Sequence, residues 1–134
     1  MGKILLVETD RLIAENLIHY LSRSGHSVDW QRDLQAAIDA SDTACPDLVV
    51  LDLMLCGRSG VEFLYEFRSY PDWQDIPVVL FSNISMRDLG ASTAGFSQLN
   101  ISAYHYKPTT SLAHLSDSID FVISHPLNAP AGRN

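Results

Sequence analysis

The sequence predicts an α/β fold, an open parallel sheet of five strands with helices on both faces. Five short apolar runs alternate along the chain with segments of helical periodicity. Strands that are separated by single helices need crossover connections, and these connections make the sheet parallel. Hydrophobic residues make up 46 % of the 134 residues, which is enough to supply the side chains of a core.

The five strands are predicted from short β-type or continuously apolar runs. The third run is apolar except for Asp52, as expected of a strand that is covered on both faces. The predicted strands span 3–7, 26–30, 48–53, 76–81 and 102–106.

The first helix is predicted from apolar residues at i, i+3, i+4 and i+7, which are Ala14, Leu17, Ile18 and Leu21. Asp10 is expected to cap its start, and Gly25 follows its end as helix C-termini favour. Further helices are predicted over 34–40, along the stripe Val61, Leu64 and Phe67, over 87–99 and over 112–123. Five such (βα) units fit a flavodoxin-like (βα)5 open sheet.

The expected organisation is one domain over 1–124 and a flexible tail over 125–134, which is rich in Pro and Gly and has no periodicity. No apolar run approaches the ~20 residues of a membrane-spanning helix, and no signal peptide is recognised. Cys45 and Cys56 match no zinc spacing and are expected to be reduced, buried thiols. These features predict a cytoplasmic protein that does not bind membranes.

The charge balance is acidic. Nine Lys and Arg residues against sixteen Asp and Glu residues give a formal net charge of −7. Because an acidic surface repels phosphate backbones, direct binding to nucleic acid is not expected.

Polar residues gather where the predicted strands end, and the carboxyl ends of parallel strands meet at one edge of the sheet. These residues are Glu8, Thr9, Asp10, Asp52, Ser82, Asn83, Tyr104, His105, Tyr106 and Lys107. Carboxylates suit a hard cation, whereas an ammonium group and a hydroxyl suit phosphoryl oxygens. The pattern therefore predicts a small site for magnesium and a phosphoryl group.

At these positions the sequence resembles the receiver domain of bacterial response regulators, from about residue 3 to 123. The resemblance is carried by KILLVE at 3–8, PDLVVLDLML at 46–55 with Gly57, Ser59 and Gly60, PVVLFS at 77–82 and YHYKP at 104–108. Four such segments in the same order at strand ends make a specific pattern.

The resemblance implies a role in two-component signal transduction. Asp52 would be the phosphoacceptor, with a histidine kinase or a histidine phosphotransfer protein as donor. Lys107 would contact the carboxylate and then a phosphoryl oxygen. Ser82 would be the switch hydroxyl, and Tyr104 the aromatic residue that turns inward with it.

The resemblance also implies Mg²⁺, held by Glu8, Asp52 and the backbone carbonyl of Met54. Thr9 stands where the family has its second acid, and a neutral hydroxyl is a poor ligand for this cation, so weakened binding is expected. Asn83 stands where the family keeps a very small residue.

On this reading the chain is no enzyme beyond its own phosphoryl transfer and hydrolysis. Its partner would be a downstream output protein or an output domain outside this sequence, and a homodimer is compatible with the family.

Other hypotheses remain. A pseudo-receiver would keep the fold as a phosphorylation-independent binding module. A phosphatase of the haloacid dehalogenase type would use Glu8 and Asp10, but its nucleophile should be Asp and it needs a cap domain. A flavin carrier would need a hydroxyl- and glycine-rich loop that 8–15 does not supply.

Overall fold

The computed structural model of the chain describes residues 2–55, 58–85 and 99–125. The predicted helix over 87–99 lies outside these ranges except for its last residue, and so do Cys56 and the tail after His125. Within the described ranges, no helix is both long and apolar enough to cross a membrane.

The main sheet has five parallel strands, as predicted, and their spatial order is Ser27–Gln31, Lys3–Val7, Leu48–Leu51, Val78–Ser82 and Ile101–Tyr106. The register places Val7 beside Leu51 and Leu51 beside Leu80, so these strands end at the same edge. In chain order the strands are β1 Lys3–Val7, β2 Ser27–Gln31, β3 Leu48–Leu51, the two-residue strands β4 Met54–Leu55 and β5 Arg58–Ser59, β6 Val78–Ser82 and β7 Ile101–Tyr106.

Helices cover both faces of this sheet, as predicted. The described α-helices are α1 Arg11–Arg23, α2 Leu34–Thr43, α3 Gly60–Ser69 and α4 Leu112–Ser124. Side chains alternate between the two faces of a strand. Leu5 and Val7 therefore pack in one core cluster with α2 and α3, whereas Ile4 and Leu6 pack in a second cluster with α1 and α4.

Local signals fix the helix ends. The Asp10 carboxylate accepts a hydrogen bond from the Ile13 N–H at 3.1 Å, which confirms the predicted cap of α1. Gly25 follows the end of α1 with φ 91°, a left-handed conformation that favours glycine. Asp33 and Ser111 cap α2 and α4 in the same way as Asp10 caps α1.

Two sequence expectations need correction. The third strand ends at Leu51 and not at 53, because the chain turns there and the Met54 N–H donates to the Asp52 carboxylate at 3.0 Å. Cys45 is exposed, because it lies in the connection between α2 and β3 and not under a helix. The short antiparallel pair of β4 and β5 was not predicted.

Candidate functional site at the carboxyl edge of the sheet

Three charged side chains from distant parts of the chain meet at the carboxyl edge of the sheet. The Lys107 Nζ lies 2.9 Å from Oε1 and 3.1 Å from Oε2 of Glu8. The same Nζ lies 2.9 Å from Oδ2 of Asp52. Glu8 and Asp52 are 1 % and 4 % exposed. We call these three residues the carboxyl-edge cluster; one ammonium faces two buried carboxylates in it.

Strand order explains why these residues meet. Glu8 follows β1 and Asp52 follows β3, and these neighbouring strands flank the point where the strand order reverses, which is where ligands bind in open α/β sheets. Lys107 follows β7, two strands from β3, so its long side chain reaches across β6. Its Nζ lies 5.4 Å from the centre of the Phe81 ring, a cation–π contact along that path.

The turn after Asp52 is closely packed. The Met54 N–H fixes one carboxylate oxygen of Asp52, and the Gly60 N–H donates to the Leu53 carbonyl at 2.8 Å. A Cβ at Gly60 would lie 2.7 Å from the Asp52 carbonyl oxygen and 2.7 Å from the Leu53 Cα. The start of α3 therefore requires glycine, and it holds the Asp52 backbone in place.

The pKa values of Glu8 and Lys107 are both raised, but for different reasons. Burial raises the pKa of Glu8, although the Asp10 N–H and Lys107 act in the opposite direction. Burial alone would lower the pKa of Lys107, but its hydrogen bonds and charge interactions with Asp52 and Glu8 prevail and raise it. Lys107 is therefore held firmly as an ammonium, because it is the one cation between two acids.

The two predicted switch residues are connected through Ile84. Ser82 is fully buried, and its Oγ accepts a hydrogen bond from the Ile84 N–H at 3.2 Å. The Tyr104 hydroxyl donates to the Ile84 carbonyl oxygen. Asn83 lies between Ser82 and Ile84 and is exposed. The two side chains thus hold opposite sides of one residue in the segment after β6.

Asp10 and Thr9, the two polar residues that follow Glu8, take different positions. Asp10 caps α1, and Thr9 is half-buried. Among the described residues, no group of three His, Cys, Asp or Glu side chains is placed to hold a metal. Mg²⁺ is often held by one or two carboxylates together with phosphate oxygens and water. Glu8 and Asp52 are buried carboxylates of the kind that such a cation takes.

Sequence reasoning missed two residues near the site, Trp30 and Arg32. The Trp30 Nε1 donates to the Glu8 carbonyl oxygen at 2.9 Å, and the Arg32 Nη2 donates to the Thr9 carbonyl oxygen at 3.1 Å. The available signal was their position at the carboxyl end of β2, beside β1.

Comparison with known proteins identifies the family. Residues 4–117 match the family model of the response regulator receiver domain. Over 80 residues the chain is 40 % identical to the transcriptional regulatory protein QseB of Haemophilus influenzae, covering 60 % of this chain and 35 % of that protein. Identity to the phosphate regulon transcriptional regulatory protein PhoB of Escherichia coli is 32 % over 80 residues, 60 % of this chain and 35 % of PhoB. The matches span about a third of the length of these relatives.

Solved structures share the fold. The non-phosphorylated HemR receiver domain from Leptospira biflexa is 26 % identical with a TM-score of 0.79, covering 92 % of this chain and 95 % of that one. The Mn²⁺-bound response regulator Rcp1 is 26 % identical with a TM-score of 0.73, covering 96 % of each chain. With these matches and the carboxyl-edge cluster, the chain belongs to the receiver domain family of response regulators in two-component signalling.

Proposed function

We propose that this chain accepts a phosphoryl group on Asp52 from a histidine kinase or a histidine phosphotransfer protein. The observation that carries the proposal is the buried contact of 2.9 Å between the Lys107 ammonium and the Asp52 carboxylate at the carboxyl edge. An ammonium at this distance is placed to neutralise charge on a group that is transferred to Asp52.

In the proposed reaction, a carboxylate oxygen of Asp52 attacks the phosphorus of a phosphohistidine. The P–O bond forms, the P–N bond breaks, and the imidazole nitrogen leaves with the electron pair. Mg²⁺ held by Glu8, Asp52 and the Met54 carbonyl would supply further neutralisation of the phosphoryl oxygens. Lys107 stays an ammonium and orients the acceptor carboxylate before transfer.

Ser82 and Tyr104 would carry the signal away from Asp52. In its described hydrogen bond Ser82 acts as an acceptor, and a hydroxyl can accept and donate together, so its proton suits a phosphoryl oxygen. Ile84 and Tyr104 respond because they are bonded in series with Ser82. The surface around them would contact an output protein or an output domain. The proposed receiver unit is 1–124, with 125–134 as a tail.

The test is the intact mass of the protein after incubation with acetyl phosphate, with and without Mg²⁺. We expect one phosphoryl adduct that depends on Mg²⁺ and is absent in Asp52→Asn. Asp47→Asn is the matched control, because Asp47 is an exposed carboxylate at the opposite end of the same strand region, bonded to the Lys3 N–H. An adduct that survives in Asp52→Asn would contradict the proposal.

A second candidate function is the pseudo-receiver, a phosphorylation-independent binding module. It is favoured by Thr9, a neutral residue in the place of an acid. Folded wild-type protein that forms no adduct and binds no Mg²⁺ in calorimetry would favour this function over the first.

A further inference from the structure

We propose that Trp30 and Arg32 are positioning residues for the carboxyl-edge cluster. They hold the backbone of Glu8 and Thr9 from the end of β2, so that the Glu8 carboxylate faces Lys107. The inference rests on the proposed function, because it concerns how the phosphoryl-accepting site is kept in place.

The first support is a set of hydrogen bonds between two short segments. Trp30 and Arg32 donate to the carbonyl oxygens of Glu8 and Thr9 at 2.9 and 3.1 Å. The residue between them, Gln31, accepts from the Glu8 N–H at 3.2 Å. The β1–β2 pairing ends at Val7 and Gln31, so these bonds extend the connection beyond the end of β1.

The second support is the contact between the two side chains. Alternate residues of a strand point to the same face, and the Arg32 guanidinium lies 5.7 Å from the centre of the Trp30 ring. Trp30 is half-buried and packs against the core cluster of α1 and α4, whereas Arg32 is exposed. Trp30 is therefore fixed by the core and in turn places Arg32.

The third support is that Glu8 is held from two sides. Its backbone is bonded to β2, and its carboxylate accepts from the Asp10 N–H at 3.0 Å and from Lys107. Thr9 has no carboxylate that could bind a cation and so fix the turn. The bonds from β2 therefore set the position of this turn, and small displacements of reacting groups cost large factors in rate.

The test uses Trp30→Phe, which keeps an aromatic ring but removes the N–H donor, and Arg32→Gln. Trp73→Phe and Arg11→Gln are the matched controls, because Trp73 packs on Phe67 beside α3 and Arg11 pairs with Glu15 on the surface of α1. One readout is the ¹³C NMR resonance of the Glu8 side-chain carboxyl group, which reports the surroundings of that carboxylate. The other is the initial rate of phosphoryl adduct formation from acetyl phosphate.

We expect both test variants to shift the Glu8 carboxyl resonance and to slow adduct formation by roughly tenfold, with both controls at wild-type values. Arg32→Lys should recover part of the rate, because an ammonium can still donate to the Thr9 carbonyl. Arg32→Gln is decisive for the resonance, because it changes no ring and therefore no ring current.

A Glu8 carboxyl resonance at the wild-type position in both variants would overturn the inference, and so would a shifted resonance with wild-type rates. A loss of thermal stability alone, with both readouts unchanged, would mean a merely structural role and would also overturn it. If wild-type protein forms no adduct, the proposed function fails, and the Glu8 carboxyl resonance alone decides whether Trp30 and Arg32 position Glu8.

Discussion

Two contacts between a carboxylate and a nitrogen-bearing side chain lie at opposite edges of the sheet, and each joins residues more than ninety positions apart. The first is the carboxyl-edge cluster. The second, at the amino edge, is the pair of His26 and Asp120, whose Nε2 and Oδ1 lie 2.6 Å apart. Ser24 donates to the same aspartate at 3.2 Å, so this contact ties the end of α1 to α4.

The two contacts differ in charge balance. At the amino edge one imidazole meets one carboxylate, and the Asp120 side chain is 40 % exposed, so water solvates its charge. At the carboxyl edge two carboxylates of 2 % and 5 % side-chain exposure share one ammonium. Burying an excess of negative charge is costly, and a bound cation relieves it. The carboxyl-edge cluster therefore differs from the contact of His26 and Asp120 in its excess of buried negative charge, and this excess marks it as the candidate reactive site.

The largest expected effect follows from removing the cation of the carboxyl-edge cluster. In Lys107→Ala nothing neutralises the transferred group from this side, so we expect the rate of adduct formation from acetyl phosphate to fall by roughly 100-fold or more. The measurement is intact mass against time at saturating Mg²⁺. Lys3→Ala is the control, because Lys3 is exposed at the other end of β1. A wild-type rate in Lys107→Ala would contradict the assignment of the carboxyl-edge cluster as the reactive site.

A smaller effect of a different kind is expected at the amino edge. Asp120→Ala removes the partner of a buried imidazole and should lower the free energy of unfolding by about 1–2 kcal/mol, discounted because Asp120 is partly exposed. Adduct formation should stay at the wild-type rate. Urea denaturation measures the first quantity, and Asp117→Ala, an exposed acid on the same helix, is the control. A large loss of adduct rate in Asp120→Ala would show that the two edges are coupled.

The smallest expected effect concerns His105, which lies in β7 two residues before Lys107 and bonds to Ser118 of α4 at 2.8 Å. Burial and the charge of His114 lower the pKa of His105 from 6.5. Between the folded pKa and 6.5, the unfolded state therefore binds more protons than the folded state. The stabilisation from His105 is present above pH 6.5 and is lost as pH falls through the folded pKa. His105 is half-exposed, so the effect should stay under about 1 kcal/mol.

The measurement for His105 is the free energy of unfolding against pH for wild type and His105→Gln. The difference between the two curves removes the pH dependence that the other histidines contribute to both proteins. The difference should grow in favour of wild type as pH rises towards 7. In His114→Gln the dependence should shrink, because one cause of the shift is removed. A flat difference would mean that His105 titrates alike in both states.

The fold and the centre of the site could be predicted because their signals are local. Glu8, Asp52 and Lys107 each stand at the end of an apolar run, and parallel strands bring such ends together. Asp10 caps α1 through a bond that spans three residues. The main sheet needed only the alternation of strands and helices along the chain.

The remaining contacts could not be predicted because their partners carry no sequence signal. Trp30 and Arg32 donate to main-chain carbonyls, which every residue has. The Arg68 guanidinium donates to the carbonyl oxygens of Trp73, Leu99 and Asn100, although its position in α3 suggests an ordinary surface residue. The pair of His26 and Asp120 requires knowing which helices are neighbours.

The shared hold of Ser82 and Tyr104 on Ile84 has a thermodynamic consequence in both directions. Under the proposed function, a phosphoryl group on Asp52 acts through Ser82 on the backbone that Tyr104 also binds. Linkage is reciprocal. If phosphorylation of Asp52 strengthens the binding of an output partner, binding of that partner must stabilise the phosphorylated state by the same free energy. The concentration of the output partner would then shift the fraction of the protein that carries a phosphoryl group at equilibrium with the phosphodonor.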